Sequence, residues 1–348
     1  MGNFAIMTSK EDPTEVVPVD VKKLFMKQKM MRTVLVALVP ILVMAIFLWG
    51  WRIIMLGVIT VLTAVISEYL VMRTINKEKT KVSEAAFVSA ALFTLTLPPE
   101  TPVWVAIVGI VFGIVFGKTV FGGFGRNIFN PALAGRCFIY VAFPTQMTMT
   151  WAQPFKLLPG GFASWLPMES ADAVAAATPI ISHNAGEAPV ALQDLFLGII
   201  PGSMGETCAV LILLMGAFLV YKKVASWHIM VSTILSGGVF SAILHYAGVM
   251  SAAGVRVTPP LFLLLSGGYL FGAVFMATDP ISAPKLKSAQ IAAGIMIGII
   301  TVIIRAFSLF TEGMMFAILV VNALTPLLEL KIKQFEDRKR LPAKEAAT

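Results

Sequence analysis

The strongest constraint on the fold of this chain is a series of apolar stretches, each close to the length that crosses a bilayer. A helix needs about 20 apolar residues to span the hydrocarbon core. Ten such stretches are predicted within the 348 residues, at 33–51, 53–72, 84–98, 102–117, 131–147, 206–221, 227–247, 260–277, 288–304 and 313–330. The sequence therefore predicts an all-α polytopic membrane protein with about ten transmembrane helices.

Composition excludes several other classes of protein. Charged residues make up 13% of the chain, about half the share found in soluble domains. A soluble enzyme, a nucleic-acid-binding domain and a disordered chain are all excluded on this ground. Cys137 and Cys208 lie far apart and form no CxxC motif, and the histidines show no ligand spacing. We therefore expect no metal site.

The distribution of basic residues predicts the topology. With the N-terminus inside, 23 of the 27 lysines and arginines fall on inside segments and 4 on outside segments. Positive residues concentrate on the cytoplasmic side of membrane proteins. The bias predicts ten spans in a bacterial inner membrane with both termini in the cytoplasm. The net charge of +8 then reflects topology, and the expected contact is the lipid bilayer rather than nucleic acid.

Ten spans divide naturally into two halves of five. Because five is odd, the halves would have opposite orientations, which is an inverted repeat of five plus five. The long polar loop between them is too polar to cross a membrane and is typical of a functional segment. The predicted limits are 1–32 for an N-terminal segment, 33–147 for the first half, 148–205 for the outer loop, 206–330 for the second half and 331–348 for a tail.

Polar elements rich in glycine or proline recur at membrane depth in both halves. They are Leu97-Pro98-Pro99, Gly122 to Asn127, Pro201 to Glu206, and Ala277 to Pro280. Irregular backbone at this depth is tolerated where protein or a polar ligand satisfies it. Each element alone is also compatible with an ordinary interhelical loop. Together they predict a buried polar site between the halves.

Four acidic residues lie in or at the ends of the apolar spans, namely Glu68, Glu84, Asp279 and Glu329. Burying such groups is costly without a partner, so the set suggests cation or proton handling. The alternative for each is a boundary carboxylate in headgroup water or one paired with a nearby arginine. For Asp279 the functional interpretation is favoured, because a carboxylate beside a helix-breaking proline can bind a cation.

Two further segments have binding chemistry. Glycines ahead of the span at Glu206 leave N–H groups that suit a phosphate, although Ser203 at a capped helix start explains the same residues. Arg126, Asn127 and Asn130 can hydrogen-bond a planar heterocycle, although Asn130 before a proline is also an ordinary N-cap. The residues by themselves predict a polytopic membrane protein with a buried polar site and leave its reaction open.

From about residue 27 to 330 the chain resembles the RnfD/NqrB family. These are flavin-carrying membrane subunits of the Rnf (ferredoxin:NAD) complex and of the Na+-translocating NADH:quinone oxidoreductase complex. The blocks that carry the resemblance are Leu97-Pro98-Pro99, Gly117-Lys118, Phe121-Gly122-Gly123, Asn127 to Ala132, Phe143 to Thr148, Gly202 to Glu206, Ala277 to Pro280, Ile304-Arg305 and Glu312-Gly313. Their number and order make the match specific.

The resemblance implies FMN bound covalently through a phosphoester to Thr178, in the segment from Asp172 to Thr178. Ala175 and Ala176 depart from the residues usual in that motif. Asp172, Ser203 and Glu206 are implied to contact this cofactor. A second, non-covalent flavin, riboflavin, is implied near Arg126, Asn127 and Asn130. Ion coupling would correspond to Glu84, Asp279 and Glu329.

The implied function is a redox subunit that passes electrons across the membrane and is coupled to Na+ or H+ translocation. Because no NAD fingerprint or cluster ligands are present, the chain needs other subunits and is not expected to act alone. The short N-terminal segment and the Asp172 to Pro179 block favour RnfD, whereas Phe310 to Met315 resembles NqrB. A flavin-free solute transporter or channel with the same ten-span repeat is the alternative from another class.

Overall fold

The computed structural model describes residues 25–76, 81–148, 151–166, 177–188, 190–308, 310 and 312–345. It is a helical protein with one small parallel pairing of β1 (Phe25–Met26) and β2 (Val82–Ser83). The first group of helices is α1 (Lys29–Trp49), α2 (Arg52–Asn76), α3 (Ala85–Leu95), α4 (Val103–Gly117), α5 (Pro131–Ala142) and α6 (Pro144–Thr148). The second is α7 (Pro179–Asn184), α8 (Leu192–Leu197), α9 (Ala209–Tyr221), α10 (Trp227–Tyr246), α11 (Pro260–Leu265), α12 (Tyr269–Phe271), α13 (Lys287–Phe307) and α14 (Gly313–Glu345).

Six of the described helices are long and apolar enough to cross a membrane: α1, α2, α4, α10, α13 and α14. Three further predicted spans are shorter apolar helices, namely α3, α5 and α9. A multi-pass membrane protein is therefore confirmed. The count of ten, the inverted repeat and the limits of the two halves stay predictions.

The predicted span at 260–277 is not one continuous helix. It consists of α11, a break at Gly267 and Gly268, α12, and a π-helical turn over Gly272–Met276. Both glycines at the break have positive φ, +62° and +69°, which L-residues with a side chain rarely adopt. The break adds a fifth irregular element to the four that the sequence indicated.

Close contacts through glycine hold the long helices together in both parts of the chain. A Cβ added to Gly113 of α4 would collide with the carbonyl oxygen of Pro131 at the start of α5. A Cβ added to Gly298 of α13 would collide with Ser236 Oγ of α10. Small residues at helix interfaces are typical of membrane proteins, because backbones can then approach closely.

The short helix α3 ends against the loop that precedes α9. Its last carbonyls would be unsatisfied, as at any helix end. The N–H of Gly205 donates to the carbonyl of Leu95 at 2.7 Å, and the N–H of Met204 donates to Leu97 at 3.0 Å. Arg52 holds the turn that follows, donating to the carbonyls of Pro99 and Thr101 at 3.0 and 2.8 Å. Irregular backbone at this depth is therefore satisfied by protein, as the sequence required.

Candidate functional site

Thr178 lines a small cleft between the start of α7, the loop before α9 and the break after α11. It is the N-cap of α7, and Pro179 occupies the first helical position. Its hydroxyl is 3.5 Å from the N–H of Ile181, which is a long capping bond. The cleft is lined by Trp151, Thr178, Pro179, Ile180, Ile200, Pro201, Gly202, Ser203, Glu206, Thr207, Gly267, Gly268 and Glu312. The structure thus brings Thr178, Ser203 and Glu206 together, whereas Asp172 lies outside the described residues.

Beneath the cleft is a buried ion network centred on Arg136 of α5. Its guanidinium donates to Glu206 at 2.9 Å, to Glu312 at 2.5 Å and to Ser203 Oγ at 3.3 Å. The Arg136 side chain is 2% exposed, and those of Glu206 and Glu312 are 8% and 12% exposed. Buried carboxylates require such partners because desolvation is costly. The contact of Ser203 with Arg136 assigns its hydroxyl to this network.

A second arginine, Arg305 of α13, holds the break between α11 and α12. Its guanidinium donates to the carbonyls of Leu263 at 3.1 Å and Ser266 at 3.2 Å, and also to that of Gly267. A Cβ added to Gly267 would lie 2.9 Å from Arg305 Nη2, and one added to Gly268 would lie 2.6 Å from the Glu206 carboxylate. Arg305 and Glu206 therefore flank the break. The positive charges of the two arginines and the negative charges of Glu206 and Glu312 are equal in number around this break.

A separate buried pair joins α2 to the residue after α4. Lys118 Nζ donates to Glu68 Oε2 at 2.8 Å and to Ser83 Oγ at 2.5 Å. Ser83 Oγ in turn donates to Glu68 Oε1 at 2.8 Å. All three residues are buried. Of the two interpretations left open for Glu68, the structure favours a paired carboxylate, with a lysine as the partner instead of an arginine.

Asp279 follows the π-helical turn, and Asn130 bonds to the last residue of that turn, Met276. The Asp279 carboxylate accepts from Ser282 N at 3.0 Å and from Ser282 Oγ at 2.7 Å. Asn130 caps α5 by accepting from Ala132 N at 3.0 Å, and its amide donates to Met276 O at 3.4 Å. The cap interpretation of Asn130 is thus present in the structure.

The other residues of the predicted heterocycle site lie in the loop before Asn130. Asn127 donates from Nδ2 to the carbonyl of Phe129 at 3.1 Å, and the residue is 6% exposed. Its Oδ1 is buried and has no hydrogen-bond partner among the described residues. The Arg126 side chain is exposed and lies against Gly122. Asn127 therefore has a buried acceptor that remains available to a donor.

The remaining acids predicted for ion coupling have separate partners. Glu84 accepts from Arg32 Nε at 2.9 Å and from the N–H of Gln28 at 2.6 Å. The hydrogen bond from Arg32 lowers the pKa of Glu84. Glu329 accepts from the backbone N–H groups of Lys285 and Leu286. Glu84, Asp279 and Glu329 do not form one cluster, and the described residues hold no group of three metal-ligating side chains.

Sequence reasoning missed four charged residues of these networks: Lys118, Arg136, Arg305 and Glu312. The three cations were counted as topology signals, but all are buried and so do not report on membrane orientation. Without them the count is 21 inside against 3 outside, so the predicted bias remains. A charge inside an apolar stretch, such as Arg136 within 131–147, was the available signal.

The sequence matches the model of the NQR2, RnfD, RnfE family over residues 21–336. It is 40% identical over 269 residues to the B-type subunit of the Na(+)-translocating NADH-quinone reductase of Pseudoalteromonas atlantica, covering 76% of this chain and 63% of that protein. The corresponding B-type protein of Azotobacter vinelandii is 38% identical over 270 residues, with the same coverage. The D-type subunit of the ion-translocating oxidoreductase complex of Stutzerimonas stutzeri is 35% identical over 321 residues, covering 86% of this chain and 89% of that protein.

The chain spans 63% of the length of the two B-type relatives described above. Those relatives and the D-type relative are, by their names, parts of ion-translocating oxidoreductase assemblies. The percentages of identity to the two types differ by only a few points, so they do not separate one type from the other.

Proposed function

Because this chain belongs to the NQR2, RnfD, RnfE family, we propose that it is a flavin-carrying redox subunit of an ion-translocating membrane complex. The observation that carries the proposal is the placement of Thr178 at a cleft whose walls include Ser203, Glu206 and the glycine pair at 267–268. Electrons would cross the membrane through this subunit, coupled to movement of Na+ or H+. Other subunits of the complex would supply the donor and acceptor sites, so the chain would not act alone.

The residues at the cleft suit attachment of FMN through its phosphate to Thr178. The threonine hydroxyl makes only a long capping bond, so its replacement by a phosphoester removes little from α7. The cavity holds about 30 Å³, enough for one or two water molecules. A cavity of this size has no room for the flavin ring system, which would lie outside it. Bound there, FMN would supply one- and two-electron redox chemistry.

The ion network behind the cleft would set the electrostatics of this cofactor. Arg136 and Arg305 balance Glu206 and Glu312, so the wall nearest the added negative charge carries no net charge. In a region of low dielectric constant such a balance matters more than in water. Ser203, bonded to Arg136, would keep that guanidinium in position and would not contact the phosphate.

A second flavin, riboflavin, would lie near Arg126, Asn127 and Asn130. The support for this site is the buried Asn127 Oδ1, which lacks a donor among the described residues and matches the N–H groups of a flavin edge. Asn130 is already engaged as a helix cap, so its part would be to shape the loop. Arg126 is exposed and would remain available to a ligand.

Ion coupling would centre on Asp279. It lies just after the π-helical turn of the broken span and close enough to Lys118 for electrostatic interaction. Glu84 accepts from Arg32, and Glu329 accepts from backbone N–H groups. These two would act as structural anchors of the cytoplasmic face in the predicted topology of ten spans.

The flavin assignment is tested by in-gel fluorescence. The full chain would be expressed in a host that contains a flavin transferase, denatured, and examined for flavin fluorescence that comigrates with the protein. Thr178→Val should abolish the signal. Thr207→Val is a matched control, since Thr207 lines the same cleft, and it should retain the signal. An unlabelled wild-type band would overturn the proposal and favour the flavin-free transporter or channel.

The type of complex is a second question. We favour an RnfD-type protein of an Rnf-type complex on the Asp172 to Pro179 block, with an NqrB-type protein that has a quinone site as the alternative. Membranes that contain the assembled complex would be assayed with reduced ferredoxin plus NAD and with NADH plus quinone. If activity depends on this chain in the ferredoxin assay alone, the RnfD type is supported. If it depends on this chain in the quinone assay alone, the NqrB type is supported.

A further inference from the structure

A basic cleft lies at the start of α10 and α13, on the face opposite the Thr178 cleft in the predicted topology. Its volume is about 440 Å³, and Lys223, Lys285 and Lys287 are among its lining residues. All three lysines are exposed. Among the described residues, none of their ammonium groups forms an ion pair.

The first turns of α10 and α13 contain no acidic residue. Two carboxylates of α14 lie at the start of α13, where Glu329 accepts from the backbone N–H groups of Lys285 and Leu286, and Glu336 accepts from Ser288 Oγ. Neither carboxylate pairs with a lysine ammonium group among the described residues.

Lys223, which lines the cleft, has an unfavourable backbone conformation. It is the one described non-glycine residue with positive φ, at +57°. This left-handed conformation is unfavourable for a residue with a side chain, and glycine is the usual choice at such a helix end. A lysine in this place puts a third ammonium group at the cleft.

Below the cleft, two apolar stripes run into the membrane. On α10 the exposed residues recur every fourth position: Trp227, Val231, Leu235, Val239 and Ile243. On α13 the exposed pair Ile291 and Ile295 continues from Lys287 in the same direction. Residues four apart share one face of a helix, so each stripe is a continuous lipid-facing surface. Trp227 both lines the cleft and begins one stripe, at the level where tryptophan favours the headgroup region.

From this arrangement we propose that the cleft binds the phosphate group of an anionic phospholipid, whose acyl chains lie along the two stripes. Lysine clusters at the membrane surface attract anionic headgroups, and basic pockets between transmembrane helices bind them. The stripes distinguish a lipid from free phosphate, because phosphate has no apolar chains to cover them. The site does not depend on the flavin assignment.

The test is native mass spectrometry of the full chain in detergent, titrated with dioleoyl phosphatidylglycerol or dioleoyl phosphatidylcholine. Wild type should bind the anionic lipid more tightly than the zwitterionic one. Lys285→Gln combined with Lys287→Gln should weaken phosphatidylglycerol binding by about 10- to 30-fold, from the contribution expected of two lysines at a charged surface. Lys331→Gln with Lys333→Gln is the matched control, with the same spacing and charge change on exposed positions of α14, and should change binding less than about twofold.

Four results would overturn the proposal. Equal binding of the two lipids, or an equal effect of the two double variants, would show that the cleft has no special role. Displacement of phosphatidylglycerol by inorganic phosphate at millimolar concentration would show a site for free phosphate without lipid selectivity. Loss of a neighbouring protein from the assembled complex in the Lys285/Lys287 variant, with lipid binding unchanged, would identify the cleft as a protein interface.

Discussion

Replacing Arg136 by glutamine should destabilise the protein strongly, because it leaves a buried carboxylate without a counterion. The guanidinium bonds to Glu206, Glu312 and Ser203, and its side chain is 2% exposed. Removing one partner of a buried ion pair costs about 3–5 kcal/mol. For a chain of 348 residues at about 2 °C per kcal/mol, the expected fall in Tm is about 6–10 °C. A thermal-shift assay in detergent measures it.

Two further variants separate the charge effect from a general loss of packing. Arg126→Gln makes the same chemical change at an exposed position and should shift Tm by less than about 1 °C. Arg136→Gln with Glu312→Gln restores the balance of Arg305 and Glu206, so it should recover at least half of the lost stability. If Arg136→Gln resembles Arg126→Gln, or if the double variant is as unstable as the single one, the ion-network argument is wrong.

Three other outcomes are expected. Gly268→Ala should lower Tm in the same assay by several degrees, because it places a Cβ at positive φ and 2.6 Å from the Glu206 carboxylate. The hydrogen bond from Arg32 lowers the folded-state pKa of Glu84. The stabilisation from this pair is therefore present above the unfolded pKa of about 4.5 and is lost as pH falls through the folded pKa. Below about pH 4.5 the Tm of the wild type should fall more steeply than that of Glu84→Gln. Asp279→Asn should impair ion-coupled turnover of the assembled complex while the in-gel flavin signal at Thr178 persists, and loss of that signal would indicate misfolding instead.

The sequence predicts most of the long helices well, because about 20 consecutive apolar residues have few folded states other than a membrane span. It does not predict the break at Gly267 and Gly268. Glycine is common in transmembrane helices, and only the approach of Arg305 and Glu206 shows that these two residues leave the helix. Short spans such as α3 are also hard to bound, since their ends depend on partners that are distant in the chain.

The candidate site was predictable only in part. Thr178, Ser203 and Glu206 were each identified by sequence, and the structure places them at one cleft. The partners that organise the site come from elsewhere, because Arg136 and Glu312 are separated by 176 residues. A buried arginine in an apolar stretch indicates that an acidic partner exists but not which one. Positive-inside counting then treats it as a surface charge, as it did for Arg136 and Lys118.

The ending of α3 also bears on how the protein is made. The carbonyl of its last residue, Leu95, accepts from Gly205 N–H, and that of Leu97, two residues on, accepts from Met204 N–H. Both donors are synthesised much later than α3. Until then the end of α3 must stay near water or be covered by another protein, since the bilayer interior offers no donors. We therefore expect the end of α3 to complete its hydrogen bonding only once the loop before α9 has been synthesised. A chain truncated before Met204 would lack both of these donors, so we expect the two segments to fold together.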